Sequence, residues 1–217
     1  MVERGVFVID VDDVVFDFAE PFAKYVRAHH PHLAQEHHAR TGSILSRDSY
    51  KSYSLNTLTG CGETVEREVV HRFYETPEFR NLPLLNGSRA VLEELSKRFD
   101  LVVATARPAA LKNLTSEQFS RIGIPIVEYF FCLGQAASDK TPANPLNKKG
   151  NVCAHVDANY FIDDSGRHIR CCLDNSPKTQ PFLLRSPWNE SEQFREGIKQ
   201  PDLHTISAHI IRTIRQS

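Results

Sequence analysis

Short apolar runs alternate with segments of helical period through most of the chain. The first run, residues 6–9, is rich in β-branched residues, which is typical of a strand buried on both faces. Similar runs recur at residues 101–104, 127–132, 160–162 and 182–184. Amphipathic segments separate these runs, and this alternation predicts a parallel sheet with helices on both faces. The pattern therefore indicates an α/β protein.

The segment after the first predicted strand does not follow this alternation. Residues 16–81 are too many for an ordinary connection between a strand and a helix. A helical period is visible in this segment, most clearly in residues 63–74. We therefore predict a helical cap over residues 16–81, inserted into an α/β core of residues 1–15 and 82–217.

The composition is that of an ordinary globular protein. The chain has 217 residues, of which 41% are hydrophobic and 24% charged, which excludes a collagen, a disordered tail or a disulfide-stapled miniprotein. The 26 lysines and arginines nearly balance the 27 aspartates and glutamates, and the formal charge is −1. Since polyanions and anionic membranes attract clearly basic proteins, we expect neither a nucleic acid polymer nor a membrane as partner.

The first residues and the cysteines favour a cytoplasmic protein. No run of 18 or more apolar residues occurs, and the charged first residues lead into the first predicted strand, so we expect neither a membrane span nor a signal peptide. The five cysteines are an odd number without a Cys-x-x-Cys pair, which fits a reducing compartment. The oligomeric state stays open, with a homodimer as one alternative.

Histidine is unusually frequent. Full protonation of the ten histidines changes the formal charge from −1 to +9, so we expect mild acid to change the behaviour of the protein. Five of the ten lie between His29 and His38. Adjacent residues point in different directions on a helix, and no cysteine or carboxylate spacing supports zinc. A solvated helix surface is therefore favoured over a metal site.

Polar residues follow three of the predicted strands. Asp10, Thr105 and Asp163 each stand at or just after the end of an apolar run. In an open α/β sheet the ligand site lies outside the carboxyl ends of the strands, so we expect these residues to converge. Asp12 lies two residues after Asp10, on the same side of an extended chain, and Asp164 adds a further carboxylate. Such a set of oxygen ligands suits Mg²⁺.

This set of residues is chemically suited to phosphoryl transfer. An ionised aspartate can attack phosphorus to form an aspartyl phosphate, and a second carboxyl group can protonate the leaving oxygen and later deprotonate water. The charge on the transferred group calls for a hydroxyl and a cation, which Thr105 and either Lys148 or Lys149 would supply.

Structural roles compete with these assignments. The Asp10–Asp12 segment also fits a strand-to-loop turn with side-chain capping, and Thr105 also fits the N-cap of the following helix. For Arg107, a structural role and a position beside the phosphate are equally compatible with the sequence.

The order of these residues resembles the four motifs of the haloacid dehalogenase (HAD) superfamily. The motifs are Asp10-Val11-Asp12, Thr105, Lys149 and Asp163-Asp164, in this order along the chain. Residues 10–18, 79–108, 149–165 and 183–191 look like the deoxyribonucleotide-type 5'-nucleotidase branch and its bacterial relatives. The resemblance implies a three-layer Rossmann-like parallel sheet with a helical cap inserted after the first strand.

The resemblance also implies roles for residues of the first two motifs. Asp10 would be the nucleophile and Asp12 the general acid and base. Thr105 would bind the transferring phosphate, with Ala106 and Arg107 beside it in the substrate site. Many relatives have glycine where this chain has Asp13. This departure weakens the prediction of the substrate, and of its leaving group, more than the prediction of the reaction.

The remaining implied roles concern the cation and the edge of the site. The KG-x-V-C pattern selects Lys149, 14 residues before Asp163, as the residue that neutralises the phosphate. Phe18 would touch the leaving group from the cap. The Mg²⁺ ligands implied by the resemblance are Asp10, the Asp12 main-chain carbonyl and Asp163, with Asp164 nearby.

The expected function is a Mg²⁺-dependent phosphomonoesterase that works through an aspartyl phosphate. Its substrate would be a small phosphorylated metabolite, with (deoxy)nucleoside 5'-monophosphates as the leading class. Two alternatives stay open: a catalytically silent binding or regulatory protein of the same fold, and a haloacid dehalogenase that uses an aspartate nucleophile without metal.

Overall fold

Six parallel strands form one sheet in the computed structural model of the chain, which describes residues 4–52, 54–132 and 145–216. The strands are β1 (Gly5–Ile9), β2 (Phe99–Thr105), β3 (Glu128–Phe131), β4 (Tyr160–Asp163), β5 (Gln180–Leu184) and β6 (Lys199–Gln200). The α-helices are α1 (Ala19–His29), α2 (Pro31–Thr41), α3 (Leu55–Thr59), α4 (Glu63–Tyr74), α5 (Pro77–Arg80), α6 (Ser88–Ser96), α7 (Lys112–Arg121), α8 (Lys149–His155), α9 (Gly166–Asn175) and α10 (Leu203–Gln216).

The strand order in the sheet is β3-β2-β1-β4-β5-β6. All neighbouring strands pair in parallel, and the central strand β1 lies between β2 and β4. Each of the five predicted strands is present, so the predicted α/β class is confirmed. Strand β6 was not predicted, because a strand of two residues is too short to show a period.

Both faces of the sheet are covered by helices. Successive strand residues point to opposite faces. Val8 of β1 belongs to a buried cluster that includes Val152 of α8 and Ile169 of α9. Its neighbour Phe7 instead lines a small void with Leu92 of α6. This burial of alternate residues explains why β1 is apolar throughout, and it confirms the predicted layered sheet.

The chain divides into two compact units. The core unit comprises residues 1–15, 84–185 and 193–217, and the helical unit comprises residues 16–83 and 186–192. Among the described residues, no helix is both long and apolar enough to cross a membrane.

Aromatic side chains hold the helical unit together. The ring of Phe73 in α4 lies 5.3 Å, between centroids, from each of Phe18, Phe22 and Tyr25, and 5.7 Å from Phe79. Phe73 and Phe79 are fully buried. Aromatic pairs at these separations stabilise a fold beyond the area that they bury. The apolar faces of α1 and α4 therefore pack against each other within this unit.

One segment of the helical unit is far away in sequence. Residues 186–192 follow β5, and the prediction placed them with the core, whereas they group here with residues 16–83. The indole of Trp188 meets the ring of Tyr50 edge-on at 6.4 Å, and the Arg47 guanidinium lies 5.2 Å from the indole centroid. These aromatic and cation–π contacts explain why the segment belongs with this unit.

The histidines of α1 and α2 do not form one solvated surface as predicted. His29, His32 and His38 are exposed, but His37 is fully buried. His37 follows Leu33 by four residues, so both lie on the buried face of α2. Burial is the main cause that lowers the pKa of His37 below 6.5.

His37 should make the protein sensitive to acid. The pKa of His37 is lower in the folded protein than in the unfolded chain, so the unfolded chain binds a proton at a higher pH. The free energy of unfolding therefore falls as the pH drops below 6.5 towards the folded-state pKa. Leucine does not titrate, so the His37→Leu variant should lack this loss. In that pH window the free energy of unfolding of the wild type should fall more steeply than that of the variant, by up to about 1.4 kcal/mol per pH unit. Urea unfolding between pH 7 and pH 5 measures this slope. The exposed neighbour provides a control variant, His38→Gln, and equal slopes in wild type and His37→Leu would contradict the prediction.

Candidate active site

Three adjacent strands of the core unit carry three of the predicted site residues at their carboxyl ends. Asp10 directly follows β1, Thr105 ends β2 and Asp163 ends β4. The Asp10 amide donates a hydrogen bond of 3.0 Å to the Ile162 carbonyl, which extends the sheet by one residue. The carboxylate of Asp10 is therefore mounted on rigid backbone, as a reacting group requires.

Lys149 joins the first and third of these strand ends. Its Nζ lies 2.7 Å from Asp10 Oδ2 and 2.7 Å from Asp163 Oδ2. Lys149 begins α8 and is almost completely buried, whereas the neighbouring Lys148 is exposed. Of the two lysines that the motif chemistry allowed, the structure brings Lys149 to the carboxylates.

Burial and charge act against each other in this cluster. Desolvation raises the pKa of Asp10 to about 6, because the attraction of Lys149 offsets burial only in part and Asp163 adds repulsion. Burial also works to raise the pKa of Asp163, but Lys149 and His168 outweigh it and hold that pKa below its ordinary value. For Lys149 burial works to lower the pKa, and the two carboxylates outweigh it. Asp163 and Lys149 thus form an ionised pair, and Asp10 titrates nearer to neutral pH.

His168 is a member of the cluster that sequence reasoning missed. Its Nδ1 lies 3.2 Å from Asp163 Oδ1 and 3.1 Å from Asp163 Oδ2, and the Ser165 amide donates to Oδ1 at 2.8 Å. His168 lies in the first turn of α9, five residues after Asp163. Because α9 begins three residues after the end of β4, a residue in its first turn lies close to the end of that strand. The spacing of five residues between Asp163 and His168 could therefore have indicated His168 from the sequence.

Asp12 is held by a buried arginine. The Arg107 Nε donates to Asp12 Oδ2 at 2.9 Å, and Nη2 donates to Asp12 Oδ1 at 2.6 Å. The Arg107 side chain is inaccessible to solvent, whereas the Asp12 side chain is 20% exposed. The sequence left two roles open for Arg107, and the structure turns its guanidinium to a carboxylate of the protein, that of Asp12.

The other residues at the end of β2 differ in accessibility. Thr105 is buried, and its Oγ1 accepts a hydrogen bond of 3.2 Å from the Arg107 amide. Ala106, between them, is exposed.

Phe18, the remaining predicted site residue, lies in the helical unit, where its ring packs on Phe22 and Phe73.

The backbone conformation of Asp13 is one that glycine commonly adopts. Its φ is +57°, in the left-handed region that glycine adopts without strain and that aspartate enters more readily than most residues. Asp13 is fully buried. The turn after β1 therefore has the conformation expected with glycine, and aspartate occupies it here.

The donor set fits a hard divalent cation. One ligand atom from each of Asp10, Asp163 and His168 lies within 4.8 Å of the others. When both carboxylates are ionised and the His168 imidazole is neutral, the single positive charge of Lys149 leaves a net negative charge in the cluster. Asp164, also buried, adds to the acidic character of this strand end. Oxygen-rich sites of this kind suit Mg²⁺, which would be held by Asp10 and Asp163.

Comparisons with known proteins identify the fold. No protein-family model matches the sequence, and no curated protein matches it either. A solved structure of a predicted phosphatase from Clostridium acetobutylicum superposes with a TM-score of 0.63 at 15% identity, over 97% of this chain and all of the other. The D,D-heptose 1,7-bisphosphate phosphatase from B. bronchiseptica, complexed with magnesium and phosphate, gives 0.53 at 13% identity, over 96% and 99%. The L-2-haloacid dehalogenase PA0810 gives 0.54 at 11% identity, over 96% and 100%.

The fold is therefore the one shared by solved HAD-type hydrolases, such as the haloacid dehalogenase-like hydrolase from Streptococcus pneumoniae, which superposes with a TM-score of 0.61 at 11% identity, over 97% of this chain and 100% of the other. These neighbours include both phosphatases and a dehalogenase. At sequence identities of 11–15%, the similarity establishes the fold and not the reaction. The particular reaction depends on the residues at the site of this chain.

The glycine after Lys149 allows α8 to approach α9 closely. A Cβ on Gly150 would lie 2.5 Å from the carbonyl carbon of Cys171 and would clash with the carbonyl oxygen. Backbone atoms cannot move aside as a flexible side chain can. The position of Lys149 at the start of α8 thus depends on the absence of a side chain at residue 150.

Replacing Gly150 by alanine should therefore impair the site. Although alanine favours helices by about 1 kcal/mol over glycine, the clash must push α8 away from α9 and shift the Lys149 ammonium. A misplacement of about 1 Å costs roughly 100-fold in rate. The measurement is kcat with an aryl phosphate. An Ala154→Gly variant at an exposed position of α8 should lose stability but keep its activity, and unaltered activity in Gly150→Ala would refute the argument.

Proposed function

We propose that the protein is a Mg²⁺-dependent phosphomonoester hydrolase that forms an aspartyl phosphate on Asp10. One observation carries this proposal: the carboxylate of Asp10 stands on a rigid strand end, 2.7 Å from a buried lysine, with a second carboxylate two residues away. This arrangement supplies a nucleophile, a cation for the phosphoryl oxygens and a proton carrier.

The two half-reactions use the same residues in opposite directions. In the first, a carboxylate oxygen of Asp10 bonds to phosphorus, the bond from phosphorus to the ester oxygen breaks, and Asp12 gives that oxygen a proton. In the second, Asp12 takes a proton from water, the water oxygen bonds to phosphorus, and the bond between the Asp10 oxygen and phosphorus breaks, which releases phosphate and restores the Asp10 carboxylate. Bound Mg²⁺ would supply positive charge that offsets the phosphoryl oxygens and the acidic residues.

Lys149 and Thr105 would contribute to binding of the phosphoryl group. Lys149 keeps its charge, because the two carboxylates raise its pKa, and it lies directly beside Asp10. Thr105 ends the strand adjacent to β1, and the exposed Ala106 follows it. Main-chain N–H groups and a hydroxyl at such a strand end can bind phosphoryl oxygens. Phe18 remains a proposed contact for the leaving group.

Nucleoside 5'-monophosphates are the substrate class that we propose. The support is the resemblance of residues 79–108, 149–165 and 183–191 to the 5'-nucleotidase branch. A formal charge of −1 for the whole chain agrees with a small substrate rather than a polyanion, since the positive potential at the site is local.

A phosphate-release panel tests the proposal. Nucleoside monophosphates, sugar phosphates and other small phosphate esters are incubated with the protein, with Mg²⁺ and with EDTA. We expect release that requires Mg²⁺ and is fastest with nucleotides. Halide release from haloacids that EDTA does not affect would identify a dehalogenase instead. A raised melting temperature with a phosphate ester, without any hydrolysis, would identify a binding protein.

A further inference from the structure

Arg107 has most of its hydrogen-bonding capacity committed within the protein. A guanidinium has five N–H donors. Two of them form a fork on Asp12, through Nε and Nη2. Two more, on Nη1, reach Thr115 Oγ1 at 3.1 Å and Gln118 Oε1 at 2.6 Å. The planar group is therefore held on both sides, by a carboxylate and by polar side chains of α7.

The burial of these partners makes the arrangement rigid. Arg107, Thr115 and Gln118 are each at most 1% exposed. All three belong to the core unit, and α7 presents Thr115 and Gln118 three residues apart, on one face. A buried arginine with satisfied donors keeps one orientation, and a bidentate pair passes that orientation to the carboxylate.

The orientation of Asp12 matters because it would transfer protons. An aspartate carboxylate rotates freely about its last bond unless both oxygens are held. Proton transfer needs the oxygen within hydrogen-bonding distance of the leaving group, about 2.6–3.2 Å. The fork from Arg107 restricts this rotation, and the 20% exposure of Asp12 leaves part of the carboxylate accessible.

We propose that Arg107 is a positioning residue, which holds the Asp12 carboxylate in the orientation for proton transfer and does not bind the phosphoryl group of the substrate. This role rests on the proposed function, because it assigns to Asp12 the proton transfers of that reaction. It also revises the substrate-binding role that the sequence predicted for Arg107.

The two roles predict different dependences on the leaving group. A poor leaving group such as the alcohol of a nucleoside monophosphate needs a proton from Asp12, whereas dinitrophenolate leaves readily without one. Loss of positioning should therefore penalise the nucleotide more than dinitrophenyl phosphate. Loss of a phosphate contact should penalise both esters equally and should also weaken inhibition by inorganic phosphate.

Kinetics of substituted proteins separate these cases. We expect Arg107→Met to lower kcat/KM for a nucleoside monophosphate by about 100-fold, and for dinitrophenyl phosphate by less than about 10-fold. Inhibition by inorganic phosphate should keep its wild-type constant. The parameter kcat/KM is the right readout, because it reports the step in which the leaving group departs.

A double-mutant cycle supplies the decisive comparison. If Arg107 acts through Asp12, then Asp12→Asn combined with Arg107→Met should be within about threefold of Asp12→Asn alone. Multiplied losses in the double variant, or equal losses with both esters, would overturn the positioning role. The exposed Arg89, paired with Glu93 on α6, provides the matched control Arg89→Met, which should keep wild-type kinetics.

A second variant keeps the test decisive. If Arg107→Met fails to fold by near-UV circular dichroism, Arg107→Lys replaces it in the cycle, since lysine keeps the charge but lacks the fork. The same leaving-group dependence is then expected. A wild-type protein without any phosphatase activity would overturn the proposed function and this role together. Activity that requires Asp10 but shows multiplied losses in the cycle would overturn the role of Arg107 alone.

Discussion

Asp10→Asn is expected to lower kcat for phosphate esters by a factor on the order of 10⁴ or more, with the fold retained. Asparagine has the shape of aspartate, but its amide cannot form the acyl phosphate through which the reaction would proceed. The variant should still bind phosphate esters, because Lys149 and Thr105 are unchanged. Phosphate release with a generic aryl phosphate measures the loss.

The same variant should be more stable than the wild type at alkaline pH when metal is absent. The pKa of Asp10 is raised from 3.8 to about 6, so its ionised form costs stability above pH 6, and this cost disappears as the pH falls towards 3.8. At about 1.36 kcal/mol per pKa unit, the cost reaches about 3 kcal/mol. Urea unfolding at pH 8 and pH 5 should show a difference between variant and wild type that shrinks at the lower pH.

A matched substitution at the surface controls for the chemistry of the change. Asp100 forms a half-exposed ion pair with Arg4 in the core unit, and Asp100→Asn should leave kcat unchanged. Turnover by Asp10→Asn at the wild-type rate would show that the proposed mechanism is wrong.

The second large effect is expected from Lys149→Met. Methionine fills similar space but leaves the carboxylates of Asp10 and Asp163 buried without their shared cation. Loss of one partner of a buried ion pair typically costs about 3–5 kcal/mol of stability. Catalysis should fall by roughly 10²–10³-fold, as when one group that stabilises developing charge is removed.

The pH and metal dependence of Lys149→Met should reveal the cause. Without Lys149 the attraction that lowers the pKa of Asp10 is lost, so protonation of Asp10 should restore part of the stability as the pH falls from 8 to 5. Added Mg²⁺ should also stabilise the variant, since it supplies the missing positive charge. The exposed neighbour Lys148→Met serves as control and should behave as the wild type. Equal stability of Lys149→Met and wild type at pH 8 would contradict this reading of the cluster.

Much of the core could be predicted from local patterns. A strand in the middle of a parallel sheet is buried on both faces, so β1 and β4 appear as uninterrupted apolar runs. Polar residues that end such runs must lie at one edge of the sheet, which is why Asp10, Thr105 and Asp163 could be grouped although they are far apart in sequence.

Contacts that depend on helix orientation could not be predicted in this way. The pairing of Arg107 with Asp12 requires that α7 bring Thr115 and Gln118 to the far side of the guanidinium. The placement of Trp188 beside Tyr50 joins segments that are separated by most of the core unit. No period in the sequence reports such long-range packing.

The sequence by itself determined strands β1 to β5, the parallel sheet and the set of acidic strand ends, because strands buried on both faces appear in the sequence as apolar runs and parallel strands end at the same side of the sheet. Only the tertiary structure decided which charged groups meet. It placed Lys149 between Asp10 and Asp163, added His168, and turned Arg107 towards Asp12. The physical reason is that the cost of burying a charge depends on its neighbours in space, which come from elements distant in the chain.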